Sequence, residues 1–145
     1  MFIFCMLSTI TLTAQDTTAK EIKKKSGVNS EITELTKFAE SEKYGLTGEM
    51  PVKVGKGGKS GPNNQRAYLN LLRDEQGNPV SYERKGSCCP YKSENAMIGD
   101  YALVDIYEIS YKNKKGESKT AHIYISFYDY EEPMIPVGFS SASLQ

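Results

Sequence analysis

The sequence predicts an α+β fold: an antiparallel sheet with a long C-terminal hairpin and one packed helix. Residues 101–112 and 119–130 are rich in β-branched and aromatic side chains, and the Gly-containing segment 113–117 joins them as the turn of a hairpin. Residues 64–72 carry apolar side chains at helical spacing. A single helix with several strands and no βαβ alternation favours a helix packed on an antiparallel sheet.

The second strand of this hairpin has two different faces. Apolar and polar side chains alternate along it, so we expect one face in the core and a polar-aromatic face towards solvent. The predicted core face is Ala121, Ile123, Ile125 and Phe127, and the opposite face is His122, Tyr124, Ser126 and Tyr128. The predicted core is Ile106, Ile109, Ile123, Ile125, Phe127, Leu69, Leu71 and Leu72.

Shorter elements are predicted around the hairpin and helix. Residues 51–54 and 80–85 fit strands, and residues 137–139 fit a short edge strand. Asn63 or Asn64 is the expected N-cap of the helix. Residues 32–39 fit an amphipathic helix and a strand almost equally, so both assignments stay open.

The N-terminus indicates export. Residues 2–14 form an uncharged apolar run, too short to span a bilayer as a helix, that ends at the small residue Ala14. We interpret residues 1–14 as a signal peptide, the alternative being a buried strand, although no basic residue precedes the run. Residues 15–30 are a flexible leader, residues 31–140 a single α+β domain and residues 141–145 a C-terminal tail. The expected location is the periplasm or the exterior.

Composition argues against a polyanionic partner. Eighteen Lys and Arg balance eighteen Asp and Glu, so bulk charge does not attract nucleic acid. No transmembrane segment is expected in the mature chain. The candidate partners are a cell-envelope protein or a small anionic ligand.

Seven strings between residues 44 and 140 have a common resemblance. They are YGLT (44–47), PVKVG (51–55), NQRAYLNLL (64–72), GSCCPY (86–91), DIYEISY (105–111), YISFYD (124–129) and PVGF (136–139). In them the chain resembles a family of small exported bacterial proteins, most specifically at Gly-Ser-Cys-Cys-Pro. Family members sometimes bear the label 2-dehydro-3-deoxyphosphooctonate aldolase. Enzymes of that kind resemble (β/α)₈ barrels of about 200 residues or more, whereas this chain has a hairpin-rich pattern.

A Gly-rich loop is the first candidate site. It lacks the complete phosphate-binding signature, because position 53 holds Lys where the motif needs Gly. Its free backbone N–H groups and lysines, leading into a helix, could still bind an anion. The alternative is a surface loop that binds nothing. The candidate anion-binding residues are Lys53, Gly55, Gly57, Gly58, Lys59 and Asn64.

Cys88 and Cys89 are the second candidate site. Three interpretations remain open: a vicinal disulfide that stiffens a turn at residues 87–90, a pair of buried inert thiols, and a redox or metal role. Gly86 and Pro90 favour a turn, and exposed free thiols do not persist in an oxidising compartment. We expect the exported protein to carry the disulfide.

No complete catalytic motif is found. His122 is the only histidine, and the acidic residues of the hairpin, such as Asp105 and Asp129, are expected to be solvated. We therefore expect no cofactor, no metal site and no catalytic residue. The predicted function is a binding or structural module of the cell envelope. The alternative is a small secreted enzyme: a redox enzyme, a hydrolase or the aldolase of the family label.

Overall fold

The computed structural model of the protein describes residues 31–55 and 61–145. The predicted signal peptide and leader lie outside the described residues, as do residues 56–60. In chain order the elements are β1 (Val52–Lys53), α1 (Gly61–Leu71), β2 (Leu72–Arg73), β3 (Ser81–Lys92), β4 (Tyr101–Lys112), β5 (Ser118–Ser126), β6 (Ser140–Ser141) and a 3₁₀ turn (Ala142–Leu144). Within the described ranges, no helix has the length and hydropathy needed to cross a membrane.

The main sheet has four strands in the order β1-β5-β4-β3. Strands β3, β4 and β5 are antiparallel, and β1 runs parallel to β5. A second, two-stranded sheet pairs β2 with β6. The predicted α+β class, with a packed helix and an antiparallel-rich sheet, is confirmed.

The predicted hairpin is present, but its second strand is shorter than expected. It ends at Ser126 rather than at residue 130. Beyond Ser126 the chain bends and runs beside β1, where Gly55 N donates to Asp129 O at 2.9 Å and Glu131 N donates to Lys53 O at 3.1 Å. The chain beyond Ser126 thus pairs with residues 53–55 instead of extending β5 along β4.

The helix begins earlier than predicted. It starts at Gly61, so neither Asn63 nor Asn64 caps it, and Asn64 lies buried inside it. Pro62 fits the first turn, where its missing N–H costs nothing. Gly61 packs against the Phe127 ring, since a Cβ at this position would lie 2.7 Å from the ring.

The turn predicted at residues 87–90 is wrong. These residues belong to β3, which continues from Ser81 to Lys92. The strand accommodates Gly86 and Pro90 by two shifts in its pairing with β4, one between Arg84 and Gly86 and one between Cys88 and Tyr91. In each, β3 has one residue more than β4, which is the definition of a β-bulge.

The core lies between α1 and one face of the sheet. Five of the predicted core residues are fully buried, namely Leu69, Leu72, Ile109, Ile123 and Ile125. Ile106, Leu71 and Phe127 are only partly buried. Ile106 lies on the opposite face of β4 from Ile109, because strand side chains alternate.

Both ends of the described chain pack onto this core. Residues 32–39 form neither the helix nor the strand considered for them: Leu35 is buried and Phe38 is exposed, with a single bridge from Phe38 to Ile135. The edge strand expected at residues 137–139 is also wrong. The pairing falls instead at Ser140–Ser141, opposite Leu72–Arg73.

Candidate functional site

The two adjacent cysteines lie in β3, at the edge of the main sheet. Cys88 and Cys89 are joined by a disulfide, and their Cα atoms are 3.7 Å apart. Both side chains are half-buried. Cys89 has φ +56°, the only positive φ of a non-glycine residue in the described part of the chain. The disulfide thus lies within the second bulge, where β3 has one residue more than β4.

A turn at residues 43–50 packs against this bulge. It is held by Gly45 N donating to Met50 O at 2.7 Å and by Tyr124 N donating to Gly45 O at 2.8 Å, which fixes it to β5. At Gly48 the turn meets the disulfide directly, because a Cβ added there would lie 2.6 Å from Cys89 Sγ. Only glycine allows this approach without displacing the sulfur.

An open cleft of about 560 Å³ lies between the turn and the bulge. Its lining residues are Lys43, Thr47, Gly48, Glu49, Cys89, Pro90 and Tyr91. The disulfide, the proline ring and the tyrosine ring provide an apolar side. Lys43 and Glu49, whose charged atoms are 3.0 Å apart, provide a charged rim that is exposed to solvent.

Tyr91 on the apolar side of the cleft is held by contacts at both its hydroxyl and its ring. Its hydroxyl lies 2.6 Å from Ser126 Oγ, and Lys53 Nζ lies 5.9 Å from its ring centroid. Burial, together with the nearby Asp129 carboxylate, raises the pKa of Tyr91 to about 12. The phenol is therefore neutral at physiological pH.

The other end of the bulge is anchored by Asp105 on β4. Ser87 Oγ and Arg84 Nη2 donate to Asp105 Oδ1 at 2.6 and 2.7 Å, and Gln65 Nε2 donates to Oδ2 at 2.9 Å. Burial alone raises the pKa of Asp105, but these three hydrogen bonds outweigh it, so the pKa is lowered. The expectation that Asp105 is solvated was wrong, since only 6% of the residue is exposed.

Three of the six candidate anion-binding residues are described, and they lie together. Lys53 Nζ pairs with Glu131 at 2.7 Å, and Asn64 Nδ2 donates to Val54 O at 2.8 Å. Gly55 packs so tightly on the backbone that a Cβ there would lie 1.8 Å from Phe127 O. Gly57, Gly58 and Lys59 lie outside the described residues. The polar groups of Lys53 and Asn64 have partners within the protein.

His122 lies apart from this region. It is on the exposed face of β5, with Nε2 3.8 Å from Glu108 Oε2. Lys53 pairs with Ser126, four residues along β5 from His122, which corresponds to about 13 Å. Asp129 accepts hydrogen bonds from Ser93 and Asn95 at 2.9 and 2.7 Å. Among the described residues, no group of three or more His, Cys, Asp or Glu side chains could hold a metal ion.

The sequence did not reveal the residues that face the disulfide. Gly45 and Gly48 indicate a turn, but no local signal shows that this turn packs on a strand forty residues later. Lys43, Thr47 and Glu49 were therefore not recognised as neighbours of Cys89. The chain matches no protein-family model, no curated protein and no solved structure, so its function has to be inferred from this geometry.

Proposed function

We propose that this protein is an exported binding module of the cell envelope, and that the cleft beside Cys88–Cys89 is its ligand-binding surface. The observation that carries the proposal is the combination of a rigid apolar side with a polar rim in one cleft. Its volume of about 560 Å³ lies within the roughly 300–1,000 Å³ range of small-molecule sites.

The rigidity of the apolar side favours binding. Binding is weakened when a ligand has to order flexible side chains, because those side chains lose conformational entropy. A preformed surface avoids this loss. Cys89 is fixed by the disulfide, Pro90 by its ring and Tyr91 by Ser126. A small polar molecule with one apolar face, such as a sugar ring, could stack on this surface and form hydrogen bonds with Thr47, Lys43 or Glu49.

The titratable groups favour binding over the alternative of a small secreted enzyme. A general acid needs a carboxyl whose pKa is raised towards neutrality. Burial of Asp105 and Asp129 is instead outweighed by hydrogen bonds, from Arg84 and Ser87 in the first case and from Asn95 in the second, so both pKa values are lowered. The Asp105 carboxylate links β4 to β3 and α1, and the Asp129 carboxylate binds the loop that follows β3.

The proposed location rests on one feature of the sequence and one of the structure. The uncharged apolar run at residues 2–14 is typical of a signal peptide. A disulfide between residues of an exposed edge strand is stable in the oxidising surroundings outside the cytosol. The resemblance to small exported bacterial proteins agrees with both.

Thermal-shift screening of the purified protein tests the proposal. The panel contains cell-wall sugars, inorganic anions and divalent metals, and we expect at least one compound to raise the melting temperature with dose. That compound should bind at least about ten-fold more weakly to Lys43→Ala and Thr47→Ala. Both side chains are at the rim of the cleft, so these variants should fold normally.

Lys114→Ala is the matched control. Lys114 is an exposed lysine at the β4–β5 turn, with its Nζ 3.8 Å from Glu75 Oε1. Its replacement should leave ligand binding unchanged. A compound whose affinity is the same for wild type and both rim variants would place the binding site elsewhere. A panel without any stabilising compound would count against a small-molecule binding module.

A further inference from the structure

We propose that the Cys88–Cys89 disulfide is a reversible redox site, which an external dithiol reduces, and that its reduction releases residues 47–49 from the sheet. This inference goes beyond the proposed function, because it holds whether or not the cleft binds a ligand. It rests on the access to the disulfide, on the backbone of Cys89 and on the contact with Gly48.

The disulfide is accessible to a thiol. β3 is an edge strand of the main sheet, and Cys88 and Cys89 are both partly exposed. Cys89 lines an open cleft. Most structural disulfides are protected from exchange by burial, whereas an exposed one can be attacked by a thiolate.

The backbone at Cys89 favours reduction. Its φ of +56° is a left-handed conformation, in which the Cβ of an L-residue crowds the following carbonyl oxygen. While the disulfide is intact, the ring holds this conformation. Once the bond is broken, Cys89 can relax to negative φ, so reduction relieves an unfavourable backbone that an ordinary disulfide does not have.

The contact with Gly48 connects the redox state to a second segment. A Cβ atom added to Gly48 would lie only 2.6 Å from Cys89 Sγ, so the turn packs directly on the sulfur. After reduction the side chain of Cys89 can rotate, and residues 47–49 lose this support. Gly45 stays bonded to Tyr124 on β5, which confines the change to the tip of the turn.

Two anchors keep the rest of β3 in place. Ser87, directly before the disulfide, is bonded to Asp105 at 2.6 Å, and Tyr91, two residues after it, lies 2.6 Å from Ser126 Oγ. Neither bond involves a sulfur atom. The reduced protein should therefore stay folded, with a local change between these anchors and in the facing turn.

Reduction proceeds by two successive thiol–disulfide exchanges. One thiolate of the dithiol attacks Cys89 Sγ, the Sγ–Sγ bond breaks, and Cys88 leaves as a thiolate that takes up a proton. The second thiol of the donor, as its thiolate, then attacks the donor sulfur of the mixed disulfide and releases Cys89 as a thiolate, which also takes up a proton. Two electrons pass to the pair, and the donor is left with its own disulfide.

The test measures hydrogen exchange of the protein, purified from an oxidising compartment, before and after treatment with dithiothreitol under native conditions. Intact mass and alkylation, with peptide mapping to separate Cys88 and Cys89 from Cys5, should show no free thiol in this pair before treatment and two after it. Exchange of the amides at residues 47–50 should become at least about ten-fold faster, while peptides from β4 and β5 remain unchanged. Reoxidation should restore the original rates.

The variant Cys88→Ala/Cys89→Ala provides the matched control. It should show fast exchange at residues 47–50 with and without dithiothreitol; if it does not fold, the wild-type comparison decides alone. Three results would overturn the inference. They are two alkylatable thiols in the unfolded but unreduced protein, reduction only in denaturant, and reduction without any change at residues 47–50. None of them depends on the existence of a ligand, so they are separate from a failure of the binding proposal.

Discussion

The two edges of the main sheet are protected in different ways. At one edge, β1 is only two residues long, and residues 129–131 fold back along it with hydrogen bonds to Lys53 and Gly55. At the other edge, β3 is twelve residues long, and none of the strands in residues 31–55 and 61–145 pairs with its outer side. β3 instead carries two bulges, the disulfide and Pro90.

The difference shows two solutions to one problem. An open edge strand can pair with another chain, and proteins prevent this by covering the edge or by making it irregular and charged. The β1 edge is covered. The β3 edge has the charged residues Glu83, Arg84 and Lys85 and an irregular backbone, and it is supported by β4 and by the turn at residues 43–50.

The largest expected effect is at the covered edge. Ile125 is fully buried and pairs with Val52 of β1, so Ile125→Ala should lower the free energy of unfolding by about 2–5 kcal/mol. Ile106→Ala, on the half-buried opposite face of β4, should cost less than about 2 kcal/mol. Urea denaturation measures both. A change below about 0.5 kcal/mol for Ile125→Ala would show that the sheet faces are reversed.

A second prediction concerns the place where the turn meets the exposed edge. Gly48→Ala should destabilise the oxidised protein by about 1–3 kcal/mol, because the new Cβ would lie 2.6 Å from a sulfur that the ring holds in place. The same change should cost clearly less in a Cys88→Ser/Cys89→Gly background, which removes the opposing atoms. Equal costs in the two backgrounds, measured by urea denaturation, would mean that the turn does not rest on the disulfide.

The third prediction concerns pH and the Asp105 anchor of β3. The folded protein holds Asp105 ionised, by hydrogen bonds from Arg84, Ser87 and Gln65 that outweigh its burial, so its pKa is lower than in the unfolded chain. The unfolded state therefore takes up the proton first as pH falls. The stabilisation is complete well above about pH 4 and is lost as pH falls through the lowered pKa.

The Asp105→Asn variant isolates this contribution. At neutral pH it should cost roughly 1–2 kcal/mol, because Ser87 and Gln65 lose a charged acceptor and the half-exposed Arg84 is screened by water. Its stability should then fall less steeply than that of wild type between about pH 5 and pH 2. Parallel curves in urea denaturation at several pH values would contradict the role given to this carboxylate.

The smallest effect on stability is expected at the outer charges of β3. Replacing Glu83 and Lys85 with Val should leave the urea midpoint nearly unchanged, since both side chains are exposed. It should, however, increase self-association in analytical ultracentrifugation, because the charges that protect the edge are lost. Lys114→Val/Glu117→Val, in the β4–β5 turn, is the control. Equal association of the two variants would show that the bulges alone protect the edge.

Local patterns predicted the hairpin and the helix well. The alternation at Ile123 and Ile125 needs only neighbouring residues, and so does the helical spacing of Leu69 and Leu72. The sequence could not place Asp105, because its partners Arg84 and Gln65 are 21 and 40 residues away. Gly86 and Pro90 predicted a turn, but in the structure they lie at β-bulges, which form because β3 pairs with β4.

The candidate site was half predictable for the same reason. Two adjacent cysteines are visible in any sequence, and their disulfide was one of three open interpretations. The cleft depends on Gly48, whose importance comes from a contact with a residue 41 positions later. Glycine is read locally as a turn signal, and its role in allowing close approach appears only in three dimensions.

The meeting of the two ends of the described chain has a consequence for folding kinetics. The Leu35 amide donates a hydrogen bond to Ser143 Oγ, which lies 108 positions later in the chain. Strand β2 pairs with β6, so this small sheet can form only once both strands are present. Contacts between distant positions slow the formation of the native state. A growing chain whose residue 143 is still inside the ribosome therefore has a core that is open at one end. Residues 140–143 close this end of the core once they have been synthesised.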